Sequence, residues 1–126
     1  MFEHLGGTEA RDETFDEFMR VCLPLYNPTP HDPDVLSRVV LKRDVANHFF
    51  RGEGFALDLF PELGHITAPT LVLAGELDPI TPVADAQDIA AAIPHAQLRV
   101  FEGAGHGVFR DKADEAMALI REFVAT

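Results

Sequence analysis

Two residues of this chain, Asp78 and His106, have side chains that can do acid–base chemistry and positions that let them meet. A carboxylate that accepts a hydrogen bond from one ring nitrogen of a histidine fixes the tautomer. It also stabilises the imidazolium that forms, and it leaves the second nitrogen free to take up and return a proton. The two residues are 28 positions apart. Each follows a short apolar run: Thr70-Leu71-Val72-Leu73-Ala74 ends in Gly75, and Gln97-Leu98-Arg99-Val100-Phe101 leads to Gly105-His106-Gly107. The elements that must position them are therefore two strands joined by a helix. Parallel strands of one sheet bring their C-terminal ends to the same edge, where an acid after one and a base after the other come together. The competing reading is an ordinary turn acid and an ordinary loop histidine. Placement at two strand ends favours the pair. The glycines at 75, 103, 105 and 107 suit turns under either reading.

Other chemistry-bearing residues have simpler explanations. Cys22 lies on the apolar stripe of a helix and reads as packing rather than as a nucleophile. The single serine, Ser37, sits between Leu36 and Arg38 in helical sequence, without the glycines that a strained nucleophile turn needs. His31 with Asp32 and Asp34 suggests a metal, but Asp32-Pro33 is explained as a helix start, and no paired Cys/His spacing supports zinc. His4, His48, His65 and His95 read as surface or helix-end residues. No metal and no cofactor is expected.

At 126 residues the chain holds one domain at most. A 47% hydrophobic content with mean hydropathy +0.03 describes a globular chain, neither disordered nor membrane-spanning. No apolar run approaches the roughly 20 residues of a membrane helix, and the first residues show no secretory signal. The lone cysteine excludes an internal disulfide and fits a reducing compartment, so a cytoplasmic location is the expectation. The net charge of −11 repels phosphate, so neither nucleic acid nor an anionic membrane is an expected partner.

The chain divides into a helical, irregular part, residues 1–65, and a β-α-β-α unit, residues 66–126. Thr14 with Glu17 forms a capping box, followed by Phe15, Phe18, Met19 and Cys22 at helical spacing and stopped at Pro24. Asp32-Pro33 and Asp44 open two further short helices, and Gly52 and Gly54 end the second. Residues 55–63 read as turn and irregular chain. The Thr70–Ala74 run is apolar enough for burial on both faces. Thr81-Pro82 reads as a cap with proline at the first helical position. Val83, Ala86, Ile89, Ala90 and Ile93 form that helix's inner face, and Pro94 closes it. Leu98 and Val100 alternate with polar neighbours as the covered face of the second strand. A final helix from about Lys112 to Val124 carries Ala113, Met117, Ile120 and Phe123 on one side.

Gly75-Glu76-Leu77-Asp78 after an apolar strand, then Gly103-Ala104-Gly105-His106 before a last amphipathic helix, resembles the C-terminal end of an α/β-hydrolase. The acid precedes the histidine as in that family. The Ile66–Gly75 segment is similar to the family's penultimate strand. Upstream, Arg20–Tyr26 and Asp44–Phe50 resemble the helical cap of the proline iminopeptidase-like branch. The resemblance implies a partial α/β-hydrolase fold in which Asp78 and His106 are the acid and histidine of a Ser-Asp-His triad. The chemistry implied is ester or amide hydrolysis, with a proline iminopeptidase-like aminopeptidase as the narrow expectation. The resemblance allows Glu53 or Glu62 as a cap carboxylate that reads a substrate amine, but nothing local singles either out.

A complete member also carries a Gly-x-Ser-x-Gly elbow and a glycine-rich oxyanion loop ahead of the cap. Neither is in this sequence. The expectation is thus the rear half of a hydrolase, inactive alone: a proteolytic product, a mis-started reading frame or a true split subunit. The alternative is a non-catalytic module using the scaffold for dimerisation or small-ligand binding. A strand that has lost a neighbour exposes unpaired backbone groups along an apolar edge. The expected partners are therefore the missing N-terminal half or a second copy, as a homodimer or larger assembly, with a small ester or peptide substrate in the complete enzyme.

Overall fold

The computed structural model describes residues 17, 18, 20–30, 32, 34, 38, 40, 42, 44, 45, 48, 49 and 52–125. Residues 17, 18, 20 and 21 are helical, and a 3-10 turn, Leu23–Tyr26, follows with Pro24 within it. Thr14, Phe15, Met19, His31, Pro33, Ser37 and the side chains of Glu53 and Phe55 lie outside the described residues. A short helix, α1 (Glu53–Ala56), and a 3-10 helix, Phe60–His65, follow. Gly54 thus lies inside a helical turn, and the region expected to be irregular is partly helical.

From Leu71 the chain forms a strand-helix-strand unit. Strand β1 (Leu71–Gly75) pairs in parallel with β2 (Gln97–Phe101), in a register that runs from Leu71↔Gln97 to Gly75↔Phe101. The connection is α2 (Val83–Ala92), which starts after Pro82 and gives way to Ile93-Pro94, as proline punctuation dictates. Thr81 does not cap it: α2 has no side-chain cap. After β2 come a one-turn helix, α3 (Val108–Asp111), and a longer one, α4 (Ala113–Val124). Asp114 and Glu115 in the first turn of α4 and Arg121 in its last complement the helix dipole.

The core is small and sits at the C-terminal end of the sheet. Phe101, Ala104, Val108 and Ala116 are buried together, with Leu73 and Leu119 packed on them. Burying a side chain such as Phe101 stabilises by roughly 1.5–3 kcal/mol, so this cluster anchors the loops that leave both strands. Three expectations are corrected here. The inner face of α4 runs through fully buried Ala116 with half-buried Leu119, Ile120 and Phe123, whereas Met117 is 40% exposed. Ile120 and Phe123 thus keep their anticipated side, while Ala116 and Leu119 take the places expected of Ala113 and Met117. On β2 the covered side chain is Phe101, and Val100 on the opposite face is 37% exposed. Strand β1 is buried only at Ala74 and Gly75, because β2 is its one paired strand among the described residues. No helix among the described residues is long and apolar enough to cross a membrane.

Candidate active site

The two loops that leave the sheet continue its hydrogen bonding. Glu76 N–H donates to Phe101 O at 3.0 Å, and Leu77 N–H donates to Ala104 O at 2.8 Å. The Glu76 carboxylate accepts Gly103 N–H at 2.9 Å. Gly103 turns with φ +69°, a conformation that glycine takes at little cost. The end of β1 passes against the second loop so closely that a Cβ on Gly75 would fall on the backbone of Ala104 and Gly105. The acid and the base are therefore carried on two loops stitched to each other.

Asp78 and His106 meet where those loops face one another. His106 Nδ1 lies 2.9 Å from Asp78 Oδ2. The Asp78 side chain is 5% exposed and that of His106 is 42% exposed, so the carboxylate is enclosed and the imidazole reaches solvent. Four donors converge on Asp78. Ile80 N–H and Thr81 N–H donate to Oδ1 at 2.8 and 3.0 Å, the Thr81 hydroxyl donates to Oδ2 at 2.7 Å, and the imidazole is the fourth. Burial alone would push this carboxyl up; the hydrogen bonds from Thr81, Ile80 and His106 outweigh it and hold the group below its ordinary value. An acceptor-only carboxylate facing Nδ1 requires the proton on that nitrogen, which leaves Nε2 as the free acceptor of the neutral ring.

The N-terminal segment contributes the other half of the setting. His106 N–H donates to Tyr26 O at 2.7 Å, and the two rings stand edge to face, 5.6 Å apart at 87°. Beside them Asp111, at the end of α3, accepts Asn27 Nδ2–H and Gly105 N–H, each at 2.8 Å, and Thr29 N–H at 3.1 Å. Burial raises the Asp111 pKa, but the bonds from Asn27, Thr29 and Gly105 outweigh it and bring the group down to about 2.

Sequence reasoning singled out Asp78 and His106, and the structure brings them together. Cys22 is half-buried on the turn before Leu23–Tyr26. Asp32 accepts Asp34 N–H at 2.9 Å and faces Arg38 at 3.5 Å, which makes a local turn. Glu62 pairs with His65 at 2.9 Å on the surface. Three residues of the setting were missed. Thr81 had a signal, because an aspartate followed three residues later by threonine can fold its side chain onto the local backbone. Asn27 and Asp111 had none, being 84 positions apart.

Residues 9–113 match the family described as alpha/beta hydrolase fold. The pimeloyl-[acyl-carrier protein] methyl ester esterase of Aliivibrio salmonicida is 32% identical over 115 residues, which are 88% of this chain and 44% of that protein. The same-named esterase of Xanthomonas campestris pv. campestris is 37% identical over 68 residues, covering 54% of this chain and 27% of its own length. Among solved structures, Est816, described as an N-acyl homoserine lactone degrading enzyme, superposes with a TM-score of 0.53 at 43% identity, over 55% of this chain and 27% of that one. An esterase from Exiguobacterium antarcticum superposes with a TM-score of 0.70 at 24% identity, over 91% and 44% of the two chains, a likeness of fold. The chain thus spans less than half the length of these relatives. On the match over residues 9–113, it belongs to the α/β-hydrolase family.

Proposed function

We propose that this chain supplies the acid–histidine couple of a serine hydrolase acting on carboxylic esters. The observation that carries the reading is the enclosed Asp78 carboxylate 2.9 Å from Nδ1 of His106, whose side chain is 42% exposed. In the reaction, Nε2 of His106 takes the proton of a serine hydroxyl as its oxygen bonds to the ester carbon. When the carbon–alkoxy bond breaks, the same proton goes to the leaving alcohol. Water, deprotonated by the same nitrogen, then releases the acid and restores the serine. Asp78 keeps the proton on Nδ1 and stabilises the imidazolium. The relatives are esterases and a lactone-degrading enzyme, which favours the ester arm over the proline iminopeptidase-like, amide-cleaving one.

The serine and the oxyanion donors belong, in this reading, to the part of a hydrolase that these residues do not span. A missing oxyanion donor alone costs about 2.7–4 kcal/mol of transition-state stabilisation. The 126-residue chain is therefore expected to hydrolyse aryl esters no faster than buffer does. A positive test replaces the matching stretch of the A. salmonicida esterase with this chain. The folded chimera is expected to hydrolyse short aryl esters, and His106→Gln or Asp78→Asn to lower kcat by roughly 10³-fold or more. A folded chimera whose kcat is indifferent to His106→Gln would sink the reading, as would enzyme-like turnover by the chain alone.

A further inference from the structure

We infer that Asp111 is a positioning residue for His106: its carboxylate ties the histidine loop to the Tyr26–Thr29 segment and so holds the imidazole against Asp78. The inference rests on the acid–histidine couple proposed above and adds to it a residue that touches neither substrate nor the ring. Asp111 reaches back across its own helical turn to Gly105, the residue before the histidine, and bonds its N–H at 2.8 Å. The same oxygen, Oδ2, accepts Asn27 Nδ2–H at 2.8 Å, and Oδ1 accepts Thr29 N–H at 3.1 Å. One carboxylate, 84 and 82 positions from Asn27 and Thr29, thus joins their segment to the histidine loop.

Between the tied points lies the bond that sets the histidine backbone, His106 N–H to Tyr26 O at 2.7 Å. The packing there leaves no slack. Asn27 is 9% exposed, a Cβ on Gly105 would land on the Tyr26 carbonyl oxygen, and one on Gly107 would meet the Asn27 amide. The ring itself has few restraints: Asp78 Oδ2 at 2.9 Å and the Thr81 hydroxyl at 3.5 Å from its Nδ1, and the Tyr26 ring at 5.6 Å. Its aim at Asp78 therefore depends on where its backbone is held. All three of Asp111's donors are neutral amide groups, so the site needs an acceptor with both oxygens available. Asparagine at position 111 has the same shape but one acceptor in place of two, so its NH2 faces either the exposed Thr29 N–H or the part-buried Asn27 and Gly105 donors.

The test reads the tautomer of His106 in the full chain by two-bond proton–nitrogen NMR of labelled histidine, with the resonance assigned by its loss in His106→Gln. The wild-type ring is expected to hold its proton on Nδ1. Asp111→Asn is expected to move it to a mixture with the Nε2–H form, while the tautomer of the exposed His95 stays unchanged. Asn27→Ala, which removes one donor and keeps the carboxylate, is expected to shift His106 in the same direction by less. It serves as the readout if Asp111→Asn does not fold. A folded Asp111→Asn with the wild-type tautomer, beside an Asp78→Asn that has lost it, overturns this inference alone, whatever its melting temperature. An unchanged His106 in folded Asn27→Ala overturns it equally when that variant is the readout. An Asp78→Asn spectrum identical to wild type overturns the couple itself, and this inference with it.

Discussion

Asp78 and Asp111 are both kept ionised by hydrogen-bond donors, and this fixes how the chain responds to acid. For Asp111 partial burial pushes the carboxyl up from 3.8, but the bonds from Asn27, Thr29 and Gly105 bring it to about 2. A folded-state pKa below the unfolded one means that the unfolded chain binds more protons in that range, so stability falls as pH falls. The contribution is complete above about pH 4 and is lost toward about pH 2. The full shift corresponds to about 2 kcal/mol, and screening at this partly exposed group leaves on the order of 1 kcal/mol. Urea unfolding of wild type and Asp111→Asn is therefore expected to differ most at about pH 6 and to draw together as pH falls toward about 2. A constant difference across that range would show that Asp111's charge is not what its donors hold. Asp78 titrates in the same sense, so some acid sensitivity remains in the variant.

The elements meet at backbone, and two glycines separate the ways a turn can fail. Gly75 ends β1 where a Cβ would strike the main chain of Ala104 and Gly105, which cannot swing aside as a side-chain tip can. Gly103 has open space around its Cβ position but sits at φ +69°. Gly75→Ala is thus an overpacking error, expected to cost about 1–3 kcal/mol or more, and Gly103→Ala a conformational one of about 1–2 kcal/mol. Denaturation midpoints check both, and a Gly75→Ala within a few tenths of a kcal/mol of wild type would contradict the close approach. Much at this scale was legible from sequence. The Thr70–Ala74 run ended by Gly75, and the prolines at 82 and 94, placed β1 and α2 because proline and glycine act locally. The meeting of Asp78 and His106 followed from parallel strands sharing an edge. What could not be read was decided across the fold. Helical period offers several adjacent stripes on α4, and contact with Phe101 and Val108 selects the one through Ala116. Likewise no local pattern could join Asp111 to Asn27.

For the whole molecule, the physics turns on the second edge of β1. Gln97 N–H donates to Thr70 O, and Glu76 N–H to Phe101 O. Alternation along a parallel strand then turns the backbone groups of Leu71 and Leu73 away from β2. A two-stranded sheet is marginal by itself. Around this one, Leu77, Ile80, Phe109 and Met117 are 56%, 40%, 55% and 40% exposed. Relatives more than twice as long have further chain that can cover such surface. Alone, the chain has copies of itself, and an apolar edge whose donors and acceptors have no strand partner among the described residues invites strand pairing. We therefore expect a homodimer or larger assembly at micromolar concentration, read by light scattering. Leu71→Pro removes an outward N–H while sparing the bonds to β2, a substitution that edge strands tolerate. If the edge is the contact, that variant shifts the assembly toward monomer with its circular dichroism unchanged. A wild-type chain that is monomeric from the start would instead mean that the apolar edge is covered from within.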